Sequence, residues 1–209
     1  MILTGGTSPL QDYKSLFKKK LNWEKVNFFY TDERIINISN DKSNFKHINS
    51  ILKKNRIINK LEHLNLGSIS KKKTKKKVDI LKNSLTICTL GLGDDGHYAS
   101  IFLGSKKYNK LTDIKKPPKF VITERLGRPS LPRITMNLSM ILLSKKIFII
   151  LNSKKKINLF KKIINLKNSQ LFSINSLLKN AKNSILIYNG KKVLKFVDFE
   201  KSVKNTQHT

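Results

Sequence analysis

The stretch Gly91-Leu92-Gly93-Asp94-Asp95-Gly96-His97-Tyr98-Ala99-Ser100 follows the apolar run Leu85-Thr86-Ile87-Cys88-Thr89-Leu90. Its glycines open backbone angles closed to other residues and let the chain pass close to a ligand. The imidazole of His97 that follows them is either structural, satisfying nearby backbone polar groups, or catalytic. A glycine loop at a strand end points toward the second reading without deciding it. Three further clusters carry polar chemistry. Gly5-Gly6-Thr7-Ser8-Pro9 precedes a helical pattern, and the amides of Gly6, Thr7 and Ser8 at a helix N-terminus would cradle a phosphate. No Gly-Lys-Ser/Thr follows, so this is not a Walker loop, and an ordinary glycine-rich connection is the alternative. In Thr31-Asp32-Glu33-Arg34, Arg34 offers a bidentate fork to phosphate with Asp32 aimed at the same pocket; the bland reading is a solvated turn. In Asn152-Ser153-Lys154-Lys155-Lys156, one lysine either reaches a phosphate or simply starts a lysine-rich helix. Of only 13 carboxylates, the adjacent pairs Asp32-Glu33 and Asp94-Asp95 fall in these loops.

The elements that must position these groups alternate. Met1-Ile2-Leu3 reads as a strand stub, and Leu10, Tyr13, Leu16 and Phe17 repeat at helical spacing. Val26 to Tyr30 reads as a buried strand, and Ser43-Asn44 as the cap of a helix with the stripe Phe45, Ile48, Ile51 and Leu52. A second helical segment carries Ile57, Ile58, Leu61 and Leu64, with a short piece around Val78 to Leu81 after it. Tyr98 to Phe102 is predicted to start a helix behind the histidine. Phe120 to Thr123 and Ile147 to Leu151 read as strands, with a short helix from Leu138 to Leu143 between them. Ile157, Phe160, Ile163 and Ile164 mark a helix after the lysines. Residues Leu171 to Leu178, Ile185 to Tyr188 and Val193 to Val197 read as a helix turn, a strand and a tail. Such alternation implies a parallel α/β sheet, whose ligands gather outside the carboxyl ends of the strands. All four polar clusters are expected at such ends.

Composition narrows the function classes. With 209 residues, 39% hydrophobic and 27% charged, the chain reads as one globular domain spanning 1–209. Its apolar runs fall far short of the ~20 residues of a membrane span. Met1-Ile-Leu-Thr-Gly-Gly is not a secretory signal, and the lone Cys88 suits a reducing compartment, so a cytoplasmic protein is expected. The 43 Lys and Arg against 13 Asp and Glu give +30, which attracts polyanions. The lysines are nonetheless spread along the chain, without an arginine-rich arm or interleaved aromatics. A compositional bias accounts for them better than a nucleic-acid site, although a basic nucleic-acid-binding protein stays as a rival. The dense run Lys71 to Lys77 reads as a solvated loop.

Taken in order, Gly5-Gly6-Thr7-Ser8-Pro9, Asp32-Glu33-Arg34, Ser43-Asn44, Gly91-x-Gly-x-Asp-Gly-His97-x-Ala-Ser100, Pro132-Arg133-Ile134-Thr135 and a lysine after the next strand resemble the 6-phosphogluconolactonase family. That family shares its fold group with glucosamine-6-phosphate deaminase, and Arg34 at the third place of Asp-Glu-Arg favours the lactonases, since the deaminases usually carry tyrosine there. The resemblance implies a modified Rossmann-like, three-layer α/β fold with a mainly parallel sheet flanked by helices. It implies metal-free, cofactor-free hydrolysis of 6-phospho-D-glucono-1,5-lactone in the pentose phosphate pathway by a monomer whose partner is that small sugar-phosphate lactone. His97 would be the general base on water, with Asp32 either orienting it or holding a sugar hydroxyl. Loop amides near Gly91 to Gly96 or a nearby arginine would stabilise the oxyanion. Gly5, Gly6, Thr7 and Arg34 would hold the phosphate with a lysine. Lys155 fits best, and Lys154 and Lys156 remain open; Arg133 would add a substrate contact. Family members usually begin with a helix before the first strand, and here only Met1, Ile2 and Leu3 make up the strand, so either the start is truncated or a sheet face is left uncovered. Leu103 replaces a usual proline, and Tyr188 and Asn189 replace a usual Trp and Asp. A sugar-phosphate isomerase or deaminase with Asp32 as base is the alternative enzyme.

Overall fold

The protein is described by a computed structural model over residues 1–6, 8–57, 79, 81, 85–166, 171–181 and 184–205. The strands are β1 (Ile2–Leu3), β2 (Phe29–Tyr30), β3 (Asp32–Arg34), β4 (Ile87–Gly91), β5 (Phe120–Leu126), β6 (Leu131–Met136), β7 (Lys146–Ile150), β8 (Ile185–Tyr188) and β9 (Val193–Lys195). The helices are α1 (Leu10–Phe17), α2 (Asn44–Lys54), α3 (Tyr108–Thr112), α4 (Leu138–Ile141), α5 (Lys154–Asn165), α6 (Ile174–Ala181) and α7 (Phe196–Asn205). Six strands form one sheet in the order β2-β1-β4-β7-β8-β9, parallel except for β9. The other three form an antiparallel sheet, β3-β6-β5.

Parallel strands covered on both sides must be apolar on both sides, and the pattern obeys this. Ile2 and Leu3 are both wholly buried but belong to opposite layers. Leu3 joins Tyr13 and Phe17 of α1 and Ile48, Ile51 and Leu52 of α2. Ile2 joins Cys88 and Leu90 of β4, Phe160 of α5, Leu177 of α6 and Phe199 of α7. The sheet face that the sequence suggested would lie open at β1 is therefore covered there. The predicted cap holds, because the Ser43 hydroxyl accepts from Lys46 N at 3.2 Å. Ser153 caps α5 in the same way through Lys156 N, at 3.3 Å.

A buried hydroxyl knot joins β1, α1 and β4 where the two glycine loops leave the sheet. Thr4 N donates to the Tyr13 hydroxyl at 2.9 Å and to Thr89 Oγ1 at 3.0 Å. The Tyr13 and Thr89 hydroxyls lie 2.7 Å apart, and Thr89 Oγ1 donates to Ile2 O at 3.1 Å. Gly91 N closes the knot on Thr4 Oγ1 at 3.2 Å. Burial pushes the Tyr13 phenol up from its ordinary value, so it stays a neutral donor and acceptor.

Four expectations need correcting. No helix starts behind His97. Instead Tyr98 bridges Ile101, Ala99 takes a left-handed φ of 48°, and Ser100 turns inward so that its hydroxyl donates to Asp32 Oδ2 at 2.5 Å. The strand over Val26 to Tyr30 is only Phe29–Tyr30, and Asp32–Arg34 belongs to the second sheet, against β6. The change of sheet happens at Thr31, whose N–H donates to Leu3 O at 2.9 Å while its carbonyl accepts from Met136 N at 2.9 Å. Consequently Asp32, Arg34 and Arg133 reach the site from an antiparallel sheet, not from parallel-strand ends. Finally, the tail from Val193 is a strand followed by the ten-residue helix α7, whose Phe196, Phe199 and Val203 are buried. The run Lys71 to Lys77 and most of the segment from Ile58 to Leu81 lie outside the described residues.

Tyr13→Phe removes the centre of the hydroxyl knot and leaves buried partners unsatisfied, which costs ~1–3 kcal/mol. Urea unfolding of the two proteins should show that loss as a lower midpoint with an unchanged slope.

Candidate active site

The two glycine loops, β3, β6 and the start of α5 enclose a cleft of about 250 Å³. That is small beside the ~300–1,000 Å³ usual for drug-sized ligands, and suits a compact, polar molecule. His97, Asp32, Arg34, Arg133 and Lys156 line it. So do Gly5, Gly6 and Ser8 from the first loop and Gly91, Gly93 and Asp94 from the second.

The histidine loop is folded to hold one ring. Gly93 N donates to His97 O at 2.8 Å, and Gly96, at φ 77°, donates to Gly93 O at 2.9 Å. A Cβ on Gly93 would fall onto the imidazole, so only glycine leaves the ring its place. His97 Nδ1 lies 2.5 Å from Asp95 Oδ1, which also accepts from His97 N at 3.1 Å. Burial works to raise the Asp95 carboxyl, but the imidazole hydrogen bond and charge outweigh it and hold the group below the ordinary carboxylate range. An ionised carboxylate only accepts, so Nδ1 carries a hydrogen, and in the neutral form of the ring the lone pair belongs to Nε2. The other side of the environment is aromatic: the His97 and Phe102 rings stack with centroids 4.2 Å apart.

Arg133 shares that aromatic neighbour, with its guanidinium carbon 5.3 Å from the Phe102 centroid. Its Nε and Nη2 donate to the carbonyls of Leu126 at 3.3 Å and Pro129 at 2.8 Å. Burial lowers Arg133 from its ordinary value; Asp32 opposes that, and Arg34, its cross-strand partner in register, adds to it. Arg34 donates from Nη1 to Lys42 O at 2.8 Å and to Asn44 Oδ1 at 2.5 Å. Its Nε is buried without a partner among the described residues. Glu33 turns away from the cleft and takes the first amides of α2, Asn44 N at 2.9 Å and Phe45 N at 2.8 Å.

The expected residues separate into those the fold brings together and those it does not. His97, Asp32, Gly5, Gly6, Arg34 and Arg133 all line the cleft. Thr7 lies outside the described residues. Lys155 does not line the cleft: it is exposed and pairs with Asp94 at 2.7 Å. Successive helix residues point about 100° apart, and Lys156 is the lysine that turns inward, its Nζ 2.9 Å from Ser8 Oγ. Burial lowers the Lys156 ammonium, with Asp94 pulling the other way. Asp32 does not orient His97; its oxygens are held by Ser100 and by Thr31 Oγ1 at 2.9 Å. The loop amides of Gly91, Gly93 and Gly96 are engaged inside the fold, and the guanidinium groups of Arg34 and Arg133 stand in the same cleft. Asp95 and Phe102 carry no assigned role from the sequence; Asn44 is read there only as part of a cap and of the family pattern, and Lys156 only as an alternative to Lys155. For Asp95 the available signal is an acid two residues before the histidine.

Among the described residues no cluster of His, Cys, Asp and Glu is arranged to hold a metal ion, and no helix is long and apolar enough to cross a membrane. A mainly parallel α/β sheet with a compact cationic cleft around a His–Asp pair defines a protein that handles small anionic molecules. The profile of "Glucosamine-6-phosphate isomerases/6-phosphogluconolactonase" matches residues 1–192, and the chain belongs to that family. It is 31% identical over 169 residues to a 6-phosphogluconolactonase of Thermotoga maritima, covering 78% of this chain and 74% of the relative. A probable 6-phosphogluconolactonase of Dictyostelium discoideum is 32% identical over 166 residues, 74% of this chain and 69% of the relative. The crystal structure of a 6-phosphogluconolactonase from Shewanella baltica has the same fold, with a TM-score of 0.75 at 24% identity over 89% of this chain and 81% of the other. That from Thermotoga maritima gives a TM-score of 0.65 at 28% identity, over 78% and 74%.

Gly93→Ala should push the imidazole off Asp95. Loss of the downfield Nδ1–H proton resonance in the variant, against its presence in the unaltered protein, would check this.

Proposed function

We propose that this chain hydrolyses 6-phospho-D-glucono-1,5-lactone to 6-phospho-D-gluconate, a step of the pentose phosphate pathway, with His97 as general base on water. The observation that carries the reading is the His97 ring, held by Asp95, in one cleft with Arg34, Arg133 and Lys156. An ester carbonyl needs an activated water, and a dianionic phosphate needs fixed cations; the cleft supplies both at once.

His97 Nε2 takes a proton from water while the hydroxide forms its bond to the lactone carbonyl carbon. The carbonyl π electrons move to oxygen, giving a tetrahedral oxyanion. Arg133 faces that charge, its guanidinium already held by two carbonyls and by Phe102 so that little reorganisation is needed. When the oxyanion collapses, the bond from carbon to ring oxygen breaks and the imidazolium returns its proton to that oxygen. Asp95 keeps the imidazole in the Nδ1–H form throughout and stabilises its cationic form. Asp32, anchored by Ser100 and Thr31, accepts from a sugar hydroxyl. The phosphate lies against Gly5, Gly6 and Ser8 before α1, between Arg34 and Lys156. Desolvation raises what each of these cations gains from an anion. Thr7 completes that loop in the sequence and is assigned to the same phosphate.

Assay on freshly generated lactone tests this. His97→Ala should lose ~10²–10⁴ in kcat, the usual worth of a positioned general base. Arg34→Ala should raise KM about tenfold or more, since one charge-assisted hydrogen bond is worth ~1.5–3 kcal/mol. Background-level hydrolysis in all three proteins would end the assignment, and ammonia release from glucosamine 6-phosphate would favour the deaminase instead. Lys156→Ala should raise KM, whereas Lys155→Ala, which removes only an exposed pair, should stay within about twofold.

A further inference from the structure

We infer that Asn44 is the positioning residue of the anion grip: its side-chain amide sets Arg34, the Gly5-Gly6 loop and the β3 backbone in one arrangement. The inference rests on the reading of this cleft as a site for a phosphorylated substrate and adds to it a lining residue whose amide oxygen and nitrogen are both bonded to protein groups.

Asn44 is 1% exposed and sits directly after the α2 cap, where an ordinary helix residue needs no buried amide. Every polar atom of that amide is nevertheless used. Oδ1 accepts from Arg34 Nη1 at 2.5 Å and from Gly6 N at 3.3 Å, and Nδ2 donates to Asp32 O at 2.8 Å. Two donors on one side and a carbonyl on the other fix which way the amide points. A carboxylate could not donate to Asp32 O, and an apolar side chain could bond none of the three. The backbone gives way to it as well, since a Cβ on Gly5 would fall onto the Asn44 amide. The absence of a side chain at Gly5 is thus explained by Asn44, not by a ligand alone.

The consequence concerns Arg34. One of its terminal nitrogens is committed to Asn44 and to Lys42 O, and its Nε is buried without a partner among the described residues. With the guanidinium plane fixed from one end, its remaining donors have a set direction. The same amide oxygen holds Gly6, the neighbouring wall of the cleft. Preorganisation of this kind lowers the cost of binding without adding a contact. Nothing in it reaches His97, so the chemical step should not depend on it.

Asn44→Ala and the milder Asn44→Ser, whose hydroxyl is too short to span Arg34 and Gly6, test the inference. Thermal unfolding would first show which of them folds. Titration with 6-phosphogluconate should show about tenfold weaker binding. KM for the phosphorylated lactone should rise by a similar factor, with kcat within about threefold. Hydrolysis of unphosphorylated glucono-1,5-lactone should lose no more than about threefold in kcat/KM, the part owed to the Asp32 backbone that Asn44 also holds. Equal losses on the two lactones would make Asn44 merely structural and overturn the inference, as would less than a twofold change in 6-phosphogluconate binding. If the unaltered protein binds 6-phosphogluconate but hydrolyses neither lactone, the lactonase reading fails while the titration still decides the role of Asn44. No binding by the unaltered protein overturns both.

Discussion

The arrangement of the cleft depends on a cluster of three hydroxyls under the sheet's carboxyl edge. Tyr13, Thr4 and Thr89 are separated by up to 85 positions in the chain, yet they share one set of short hydrogen bonds. Two parallel strands, β1 and β4, end at this knot, and each continues as a glycine loop. The β1–β4 ladder has a single register pair, Ile2 with Cys88, so backbone pairing alone would hold the two loops weakly. Side-chain hydroxyls make up the difference, and a buried set of this kind is stabilising only while every member is satisfied. The loop that carries the histidine and the loop of Gly5 and Gly6 are thereby neighbours by construction.

Electrostatics in the cleft follow from desolvation. Lys156 and Arg133 are both pushed below their ordinary values by burial, each with a carboxylate pulling the other way, Asp94 for the lysine and Asp32 for the arginine. Arg34 lies in register with Arg133 and opposes it. Partly buried like charges side by side are a cost that a dianion relieves. The overall +30 charge acts differently: it works at a distance, falls off with salt, and raises the encounter rate of any anion. In the proposed function, affinity for a phosphate comes from the few buried cations, not from the many exposed ones.

Much of this was legible in the residues. Gly91 to His97 marked the histidine loop, Ser43 marked the α2 cap, and the apolar runs marked the strands of the main sheet. Asp32, Arg34 and Arg133 stand out by type and order and do meet in the cleft, but from the second sheet and not from parallel-strand ends. A short strand such as Asp32–Arg34 carries no periodicity that tells one sheet from another, and its partner β6 lies about a hundred residues away. Spacing points to Lys155 while the structure turns Lys156 inward, because spacing along a chain does not fix the rotation of a helix within one position. The helix expected behind His97 failed for a tertiary reason, because Ser100 is drawn inward to Asp32 and Ala99 turns left-handed to allow it. Asn44 looked like part of a cap. Its amide has a second occupation that only three-dimensional neighbours disclose.

Thr31 gives one residue an unusual leverage. Its N–H belongs to the parallel sheet and its carbonyl to the antiparallel one, so the seam between the sheets runs through a single peptide unit on either side of it. His97 stands on the parallel side, while Asp32, Arg34 and Arg133 stand on the other. The gap between proton chemistry and anion grip is therefore a dimension of the architecture, as the gauge of a caliper is set by its frame and not by its jaws. On the proposed function, a phosphate one bond nearer to or farther from the reacting carbonyl is out of gauge even with every contacting side chain intact.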